Sequence, residues 1–372
     1  MVNRDKVIWE SLSNLDLSPT MEKNARDKYN ALAKYFEEQG LDSTFYPQGS
    51  FLIGTTIRPY RDGKNHDYDL DVLVILNRKK EDTDAKSVKN DVGACLKESG
   101  IYSNKLEKED RNCWTLKYAN VTDEIGFSLD IIPSVEEDIL IKNKIVNSGV
   151  SDLLVAKTVA ITDKETYEYK WLTSNSLGFG EWFLEISNKH LTTGMRIQQY
   201  NKLPENIRSL FLSSEEIPVY YYRSNLQRAV QFIKRHRDIY YDRSKLEGDK
   251  PSSIILSALI ADSIKDESFL SVVDIVNTFI TKYRNKSISI MQYGEILNPV
   301  DLRENLIERY TVNRLKNMDT WIEELSRFMI IDDESQFKRS IHNDINMEVF
   351  GESFQNPTKI TPTKPWKKYY EL

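Results

Sequence analysis

Cysteine is nearly absent from this chain. Cys95 and Cys113 are the only two, with no CxxC pair and no Cys/His cluster. That argues against zinc fingers, iron–sulfur clusters and a disulfide-stapled scaffold. No apolar run reaches the roughly 18 residues a membrane helix needs. The opening segment also lacks the apolar core of a signal peptide. A protein of a reducing cytoplasm, with no membrane partner, is therefore expected. No period of about 20–50 residues repeats, and no tract is low in complexity. Positive charge is not in excess either: 51 Lys and Arg stand against 57 Asp and Glu, a net charge of −6. A net acidic chain is a poor candidate for stable binding to long nucleic acid, although a local basic groove remains compatible with it. What is present is 372 residues, 40% hydrophobic and 29% charged. That suits a soluble globular chain of about two domains that can bury a core without staples.

The patterning changes along the chain. Ala25, Tyr29, Leu32, Ala33 and Phe36 recur at helical spacing, which predicts a helix over 20–39 that ends at Gly40. Short β-rich runs follow at 71–76, 113–118 and 127–132, with a helical stretch at 85–98 between the first two. This is an α/β or α+β pattern. Pro133 is expected to close the third strand, where a missing backbone donor is tolerated. Beyond about residue 185 the chain reads as helical, over 224–241, 252–264, 271–282, 305–314 and 319–330. Residues 356–372 carry Pro357, Pro362 and Pro365 among charges and read as an extended, loosely held tail.

The chemistry concentrates in two places. In His66-Asp67-Tyr68-Asp69-Leu70-Asp71-Val72, acids alternate with other residues at the start of an apolar run. On a strand, Asp69 and Asp71 share one face. Two such carboxylates repel and are costly to desolvate unless a cation lies between them. Mg²⁺ suits them, because it binds through one or two carboxylates plus substrate phosphates. Asp130, inside the run 127–132, is either an edge-strand acid facing solvent or the third ligand of a two-metal site for in-line phosphoryl displacement. Gly49-Ser50, upstream, is either an ordinary turn or a place where backbone and hydroxyl approach a phosphate closely.

These residues reach a known family. Gly-Ser, then Asp-x-Asp opening a strand, then a third strand Asp resembles the polymerase-β-like nucleotidyltransferases. Gln48-Gly49-Ser50-Phe51 with Gly54-Thr55 and Ile57-Arg58-Pro59, Tyr68-Asp69-Leu70-Asp71-Val72, and Leu129-Asp130-Ile131-Ile132-Pro133 resemble the bacterial cyclic-oligonucleotide synthases, the cGAS/DncV-like enzymes of anti-phage signalling. Trp171 to Ser174-Asn175, Gly178 to Phe183, the run Leu226 to Asp238, Pro251-Ser252-Ser253 and Asn298-Pro299-Val300 are similar to later segments of that family. The chain departs from the family in two respects. Eighteen residues, 51–68, separate Ser50 from Asp69, and Ser176 stands where the family usually has proline. The polar stretch 58–66 is expected to loop near the site, with Asp67 as a loop acid outside the ligand set.

The resemblance implies an α+β fold: a polymerase-β-like core of mixed sheet and flanking helices, plus a C-terminal helical domain, in two lobes. A catalytic domain over 1–185, a helical domain over 186–355 and the tail are the expected organisation. It implies catalysis and metal binding by Asp69, Asp71 and Asp130, with two Mg²⁺ ions that Mn²⁺ can replace. Gly49, Ser50, Lys234 and Ser253 would bind the triphosphate of ATP or another NTP. The product would be a cyclic di- or trinucleotide and pyrophosphate. Other readings stay open beside these. Lys234, Arg235, His236 and Arg237 could form a solvated basic face. Ser252 and Ser253 could simply cap a helix, and His66, His190 and His342 read as surface or loop residues. The same site could add nucleotides to an RNA end, or serve a degenerate nucleotide sensor. An accessory regulator could use the tail.

Overall fold

The computed structural model describes residues 4–12, 15–17, 19–118, 126–191, 223–331 and 333–345. Two helices, α1 (Arg4–Leu12) and α2 (Pro19–Glu38), lead into strand β1 (Ser43–Pro47) and the single turn α3 (Gly49–Leu52). A short hairpin, β2 (Tyr60–Arg61) and β3 (Lys64–Asn65), precedes β4 (Tyr68–Leu76). Helix α4 (Ala85–Glu98) is followed by β5 (Trp114–Tyr118) and β6 (Phe127–Glu136). Helices α5 (Ile139–Asn147) and α6 (Asp152–Val155) connect to the hairpin β7 (Val159–Glu165) and β8 (Glu168–Ser174). The sheet order is β1-β4-β6-β7-β8, with β5 added against β6. Strands β4 and β6 run parallel at its centre, and the pairs flanking them are antiparallel. The sheet is mixed, as expected.

Side-chain alternation makes the sheet two-faced. Leu70, Val72 and Val74 of β4, with Leu129 and Ile131 of β6, join a core with Tyr29, Leu32 and Phe36 of α2 and Val88, Val92 and Leu96 of α4. The opposite face carries Asp69, Asp71 and Asp130 at one end. Beyond them Leu73, Ile132 and Val159 form a smaller cluster under Leu177. Pro133 does not close β6, which continues to Glu136. The reason is topological. β5 pairs as far as Ile131 and β7 begins at Ser134, so the proline stands where β6 changes partners.

The remaining elements are mostly helical: α7 (Ser176–Lys189), α8 (Asn225–Ser244), α9 (Ser253–Ile264), α10 (Val272–Arg284), α11 (Val312–Met329) and α12 (Glu334–Ile345). Helix α8 starts in a capping box, Ser224 with Gln227. Its residues Leu226, Val230 and Ile233 enter one large core with α9 to α12, and α1 and α7 pack into that same core. One expected helix is absent. Asn305 instead ends a small sheet, β9 (Met291–Gln292), β10 (Glu295–Asn298) and β11 (Asp301–Asn305), residues 306–311 are not α-helical, and Thr311 caps α11, whose first turn takes in 312–314. The β9–β10 turn, Tyr293-Gly294, and the β2–β3 turn, Asp62-Gly63, each have two positive φ angles. That is the two-residue turn whose twist suits a tight hairpin. Residues 58–66 are therefore an ordered hairpin. Among the described residues, no helix is long and apolar enough to cross a membrane. The expected tail, 356–372, lies outside the described residues.

Candidate active site

The register of the central strands assembles the acids. Asp71 pairs directly with Asp130 across β4 and β6, and Asp69 pairs with Ser128. Strands lie about 4.8 Å apart, so three carboxylates on one face are close neighbours. The electrostatics agree. Burial, then the charges of Asp130 and Asp69, push the Asp71 carboxyl up to about 7, against a lowering pull from Lys234. Burial also raises Asp130, opposed by a hydrogen bond from Thr115 and reinforced by Asp69 and Asp110. The Ser128 hydroxyl donates to Asp69 Oδ1, and Thr115 Oγ1 donates to Asp130 Oδ1 at 2.7 Å. Asp67 sits apart in the preceding loop and accepts from the Gly126 amide at 2.8 Å.

Gly49 closes the site from β1. The Gln48 amide donates to the Asp71 carbonyl at 2.9 Å, which ties this turn to β4. Gly49 has φ +63°, and a Cβ there would stand 2.2 Å from Asp71 Oδ2. Only glycine permits both the conformation and the approach. The next residue, Ser50, accepts from Thr56 Oγ1 at 3.1 Å.

Helix α8 supplies the cationic wall. Four of its side chains donate to backbone carbonyls of the segment after α3. Gln227 reaches Ile53, Gln231 reaches Thr56, Lys234 reaches Thr55 and Arg235 reaches Arg58. Lys234 is only 5% exposed. Burial, and then repulsion from Arg237, bring its ammonium down to about 8, while Asp238 and Asp71 pull the other way. Arg237 pairs with Asp238 at 2.7 Å and donates to the Ser253 hydroxyl at 3.2 Å. The structure therefore brings Asp69, Asp71, Asp130, Gly49 and Lys234 together, with Ser50 on the adjoining turn. Ser253 joins them only through Arg237. Ser252 holds the cap position of α9, but its side chain makes no cap hydrogen bond.

Several expectations are corrected here. The basic run on α8 is not a solvated face: Lys234, Arg235, His236 and Arg237 are all buried. Arg235 lies over the Tyr60 ring and donates to the Ile345 carbonyl and Asn65 Oδ1. His236 Nδ1 accepts from Trp321 Nε1 at 3.0 Å. These charges are buried because α8 is enclosed by its neighbours, which its own sequence does not reveal. His190 is likewise buried rather than at the surface; its Nδ1 accepts from the Leu270 amide. Gln227, Gln231, Thr115 and Ser128 escaped the sequence reading. The first two could have been found by their spacing, seven and three residues ahead of Lys234 on one helix face.

As the side chains stand, no three His, Cys, Asp or Glu groups among the described residues are placed to hold a metal ion. The donor set nevertheless fits a hard cation. It is all oxygen, and Asp71 within it is raised by burial and then by the charges of Asp130 and Asp69.

Comparison with known proteins agrees with this geometry. Residues 43–130 match the family model described as cyclic GMP-AMP synthase DncV-like, nucleotidyltransferase domain. A c-di-GMP synthase of Roseivirga ehrenbergii is 29% identical over 300 residues, 79% of this chain and 69% of that protein. The cyclic dinucleotide synthase CdnG of Bradyrhizobium diazoefficiens is 26% identical over 261 residues, 68% of this chain and 57% of that one. Among solved structures, that CdnG in complex with GTP superposes with a TM-score of 0.68 at 21% identity, covering 95% of this chain and 98% of the other. Vibrio cholerae DncV, bound to a linear intermediate, gives a TM-score of 0.52 at 16% identity, covering 85% and 72%. At these identities the structural likeness speaks for the fold. The matched residues 43–130 hold all three acids and the Gly-Ser turn, so the part of this chain that is similar to a DncV-like nucleotidyltransferase domain is the part that carries the site.

Proposed function

We propose that this chain is a cyclic dinucleotide synthase that joins two NTPs and releases two pyrophosphates. The observation that carries the reading is the face shared by Asp69, Asp71 and Asp130, with Gly49 packed against Asp71 and the Lys234 charge within its reach. Both sequence relatives described above are named as synthases of this product class.

In this reading Gly49, Ser50 and Lys234 bind the triphosphate, and Ser253 assists through Arg237. A 2′- or 3′-hydroxyl of the acceptor nucleotide attacks the α-phosphorus of the donor. A P–O ester bond forms, the α–β bridge breaks and pyrophosphate leaves. Asp130 takes the hydroxyl proton. Asp69, Asp71 and Asp130 would hold two Mg²⁺ ions, or Mn²⁺, whose charge stabilises the attacking and leaving oxygens. A second transfer within the linear product closes the ring; a third nucleotide, if accepted, would give a cyclic trinucleotide. The resemblance to anti-phage enzymes makes phage defence the cellular setting of this proposal.

Product analysis tests it. Purified protein is incubated with α-labelled NTPs, singly and mixed, with Mg²⁺ or Mn²⁺, then with phosphatase. The expected result is phosphatase-resistant label with the mass of a cyclic dinucleotide. Label that stays linear, or that elongates an added tRNA, contradicts it. For the cellular setting, an Asp71→Asn strain should lose protection in a phage plaque assay, and full protection would count against that role.

A further inference from the structure

The geometry points to Thr115 as a positioning residue for Asp130, with Ser128 in the same role for Asp69. This inference rests on the proposed function and adds residues that neither the acid motif nor the Gly-Ser turn contains.

Thr115 stands directly opposite Asp130 in the antiparallel pair of β5 and β6. Side chains opposite one another in such a pair share a face, with Cβ atoms about 5 Å apart. The register therefore aims the hydroxyl at the carboxylate, and the bond is 2.7 Å long. Threonine is stiff at χ1, so this direction is fixed by the strand. A hydroxyl has one proton to give, and Asp130 Oδ1 takes it. Cys113 Sγ lies 3.7 Å from Thr115 Oγ1, where a thiol can donate weakly to the oxygen. Strand β5 is itself pinned. Lys89 Nζ donates to the carbonyls of Asp110, Arg111 and Cys113, and Trp114 Nε1 donates to the Lys89 carbonyl. On the other side, Ser128 faces Asp69 across the parallel pair and bonds Oδ1.

Each hydroxyl thus occupies one oxygen of its acid. Among the described residues, the second oxygen of Asp130 and of Asp69 accepts no protein hydrogen bond. The device turns two carboxylates that would rotate freely into groups with one fixed free oxygen each. Outer partners of this kind typically change metal affinity or activity by about 10–100-fold when removed.

The test uses the full chain with Thr115→Val, Thr115→Ser and Ser128→Ala, and Asp130→Asn as reference. Equilibrium Mn²⁺ binding is read by electron paramagnetic resonance, without turnover, in the presence of non-hydrolysable ATP and GTP analogues. Pyrophosphate release gives kcat and KM separately. Thr115→Val, close to isosteric, should weaken Mn²⁺ binding or kcat by about 10–100-fold with KM for NTP little changed. Thr115→Ser should recover most of that loss, which a purely structural role would not. Ser128→Ala, a smaller change, reads the same effect at Asp69 if Thr115→Val does not fold. Thr115→Val and Ser128→Ala both matching wild type, while Asp130→Asn is dead, would overturn the positioning role alone. An active Asp130→Asn would overturn the proposed function beneath it.

Discussion

The two charged regions that face each other here are built in opposite ways. The acids of β4 and β6 are crowded by like charge and have few partners: Asp71 lies against a glycine, and Asp69 and Asp130 each take one hydroxyl. The bases at 234–237 of α8 are buried and bonded: Arg235 to carbonyls, an amide and a ring, Arg237 to Asp238, and Lys234 to a carbonyl. A fold tolerates carboxylates left short of partners where a cation is to complete them. It does not tolerate buried cations without them. The acid end is organised for a ligand, and most of the basic helix is organised for the fold. Lys234 lies between, since its charge also reaches Asp71.

The comparison predicts which substitutions separate activity from stability. The largest effect belongs to the acids. Asp69→Asn with Asp71→Asn should lower pyrophosphate release by about a thousandfold or more, with the folded circular dichroism spectrum kept. Removing two repelling charges should leave thermal stability equal or higher. A double variant with normal turnover would break the assignment. Next comes Gly49→Ala. The new methyl meets Asp71 and the backbone is strained, so both activity and stability should fall, the latter by roughly 1 kcal/mol or more.

The bases should split. Lys234→Met should raise KM for NTP by about tenfold or more. Arg235→Met should instead leave KM unchanged in the protein that folds. Its loss is in stability, about 1–3 kcal/mol, because buried carbonyls are left unpaired. Equal KM effects from the two would erase the distinction. At neutral pH the smallest effect is that of His236, which shows only as the pH is lowered. His236 is held neutral, down to about 3, by burial and then by Arg243. In the unfolded chain a histidine protonates near pH 6.5. Proton uptake therefore favours unfolding: stability is complete above pH 6.5 and declines as pH falls toward 3. His236→Gln keeps an acceptor for Trp321 and should flatten the decline in a pH series of thermal melts.

Much of this was legible in the sequence, for physical reasons. Strand alternation alone puts Asp69 and Asp71 on one face, and helix periodicity alone delimits α2, α4 and α8 closely. The pairing of Asp71 with Asp130 was not legible, because register between strands more than fifty residues apart is a tertiary property. Nor were the two-residue strands β2, β3 and β9, which are too short to show a period. The basic run of α8 misled for a related reason. Whether Arg235 is solvated depends on Tyr60, Asn65 and Ile345, which are distant in sequence. Pro133 misled because strand interiors normally exclude proline, whereas β6 changes neighbours there.

The most direct test of the central claim is anomalous diffraction from crystals grown with Mn²⁺ and non-hydrolysable ATP and GTP analogues. The account predicts Mn²⁺ peaks bounded by Asp69, Asp71 and Asp130, with a triphosphate running from the Gly49-Ser50 turn toward Lys234. Nucleotide bound elsewhere, or bound between these residues with no metal at the three acids, would contradict it.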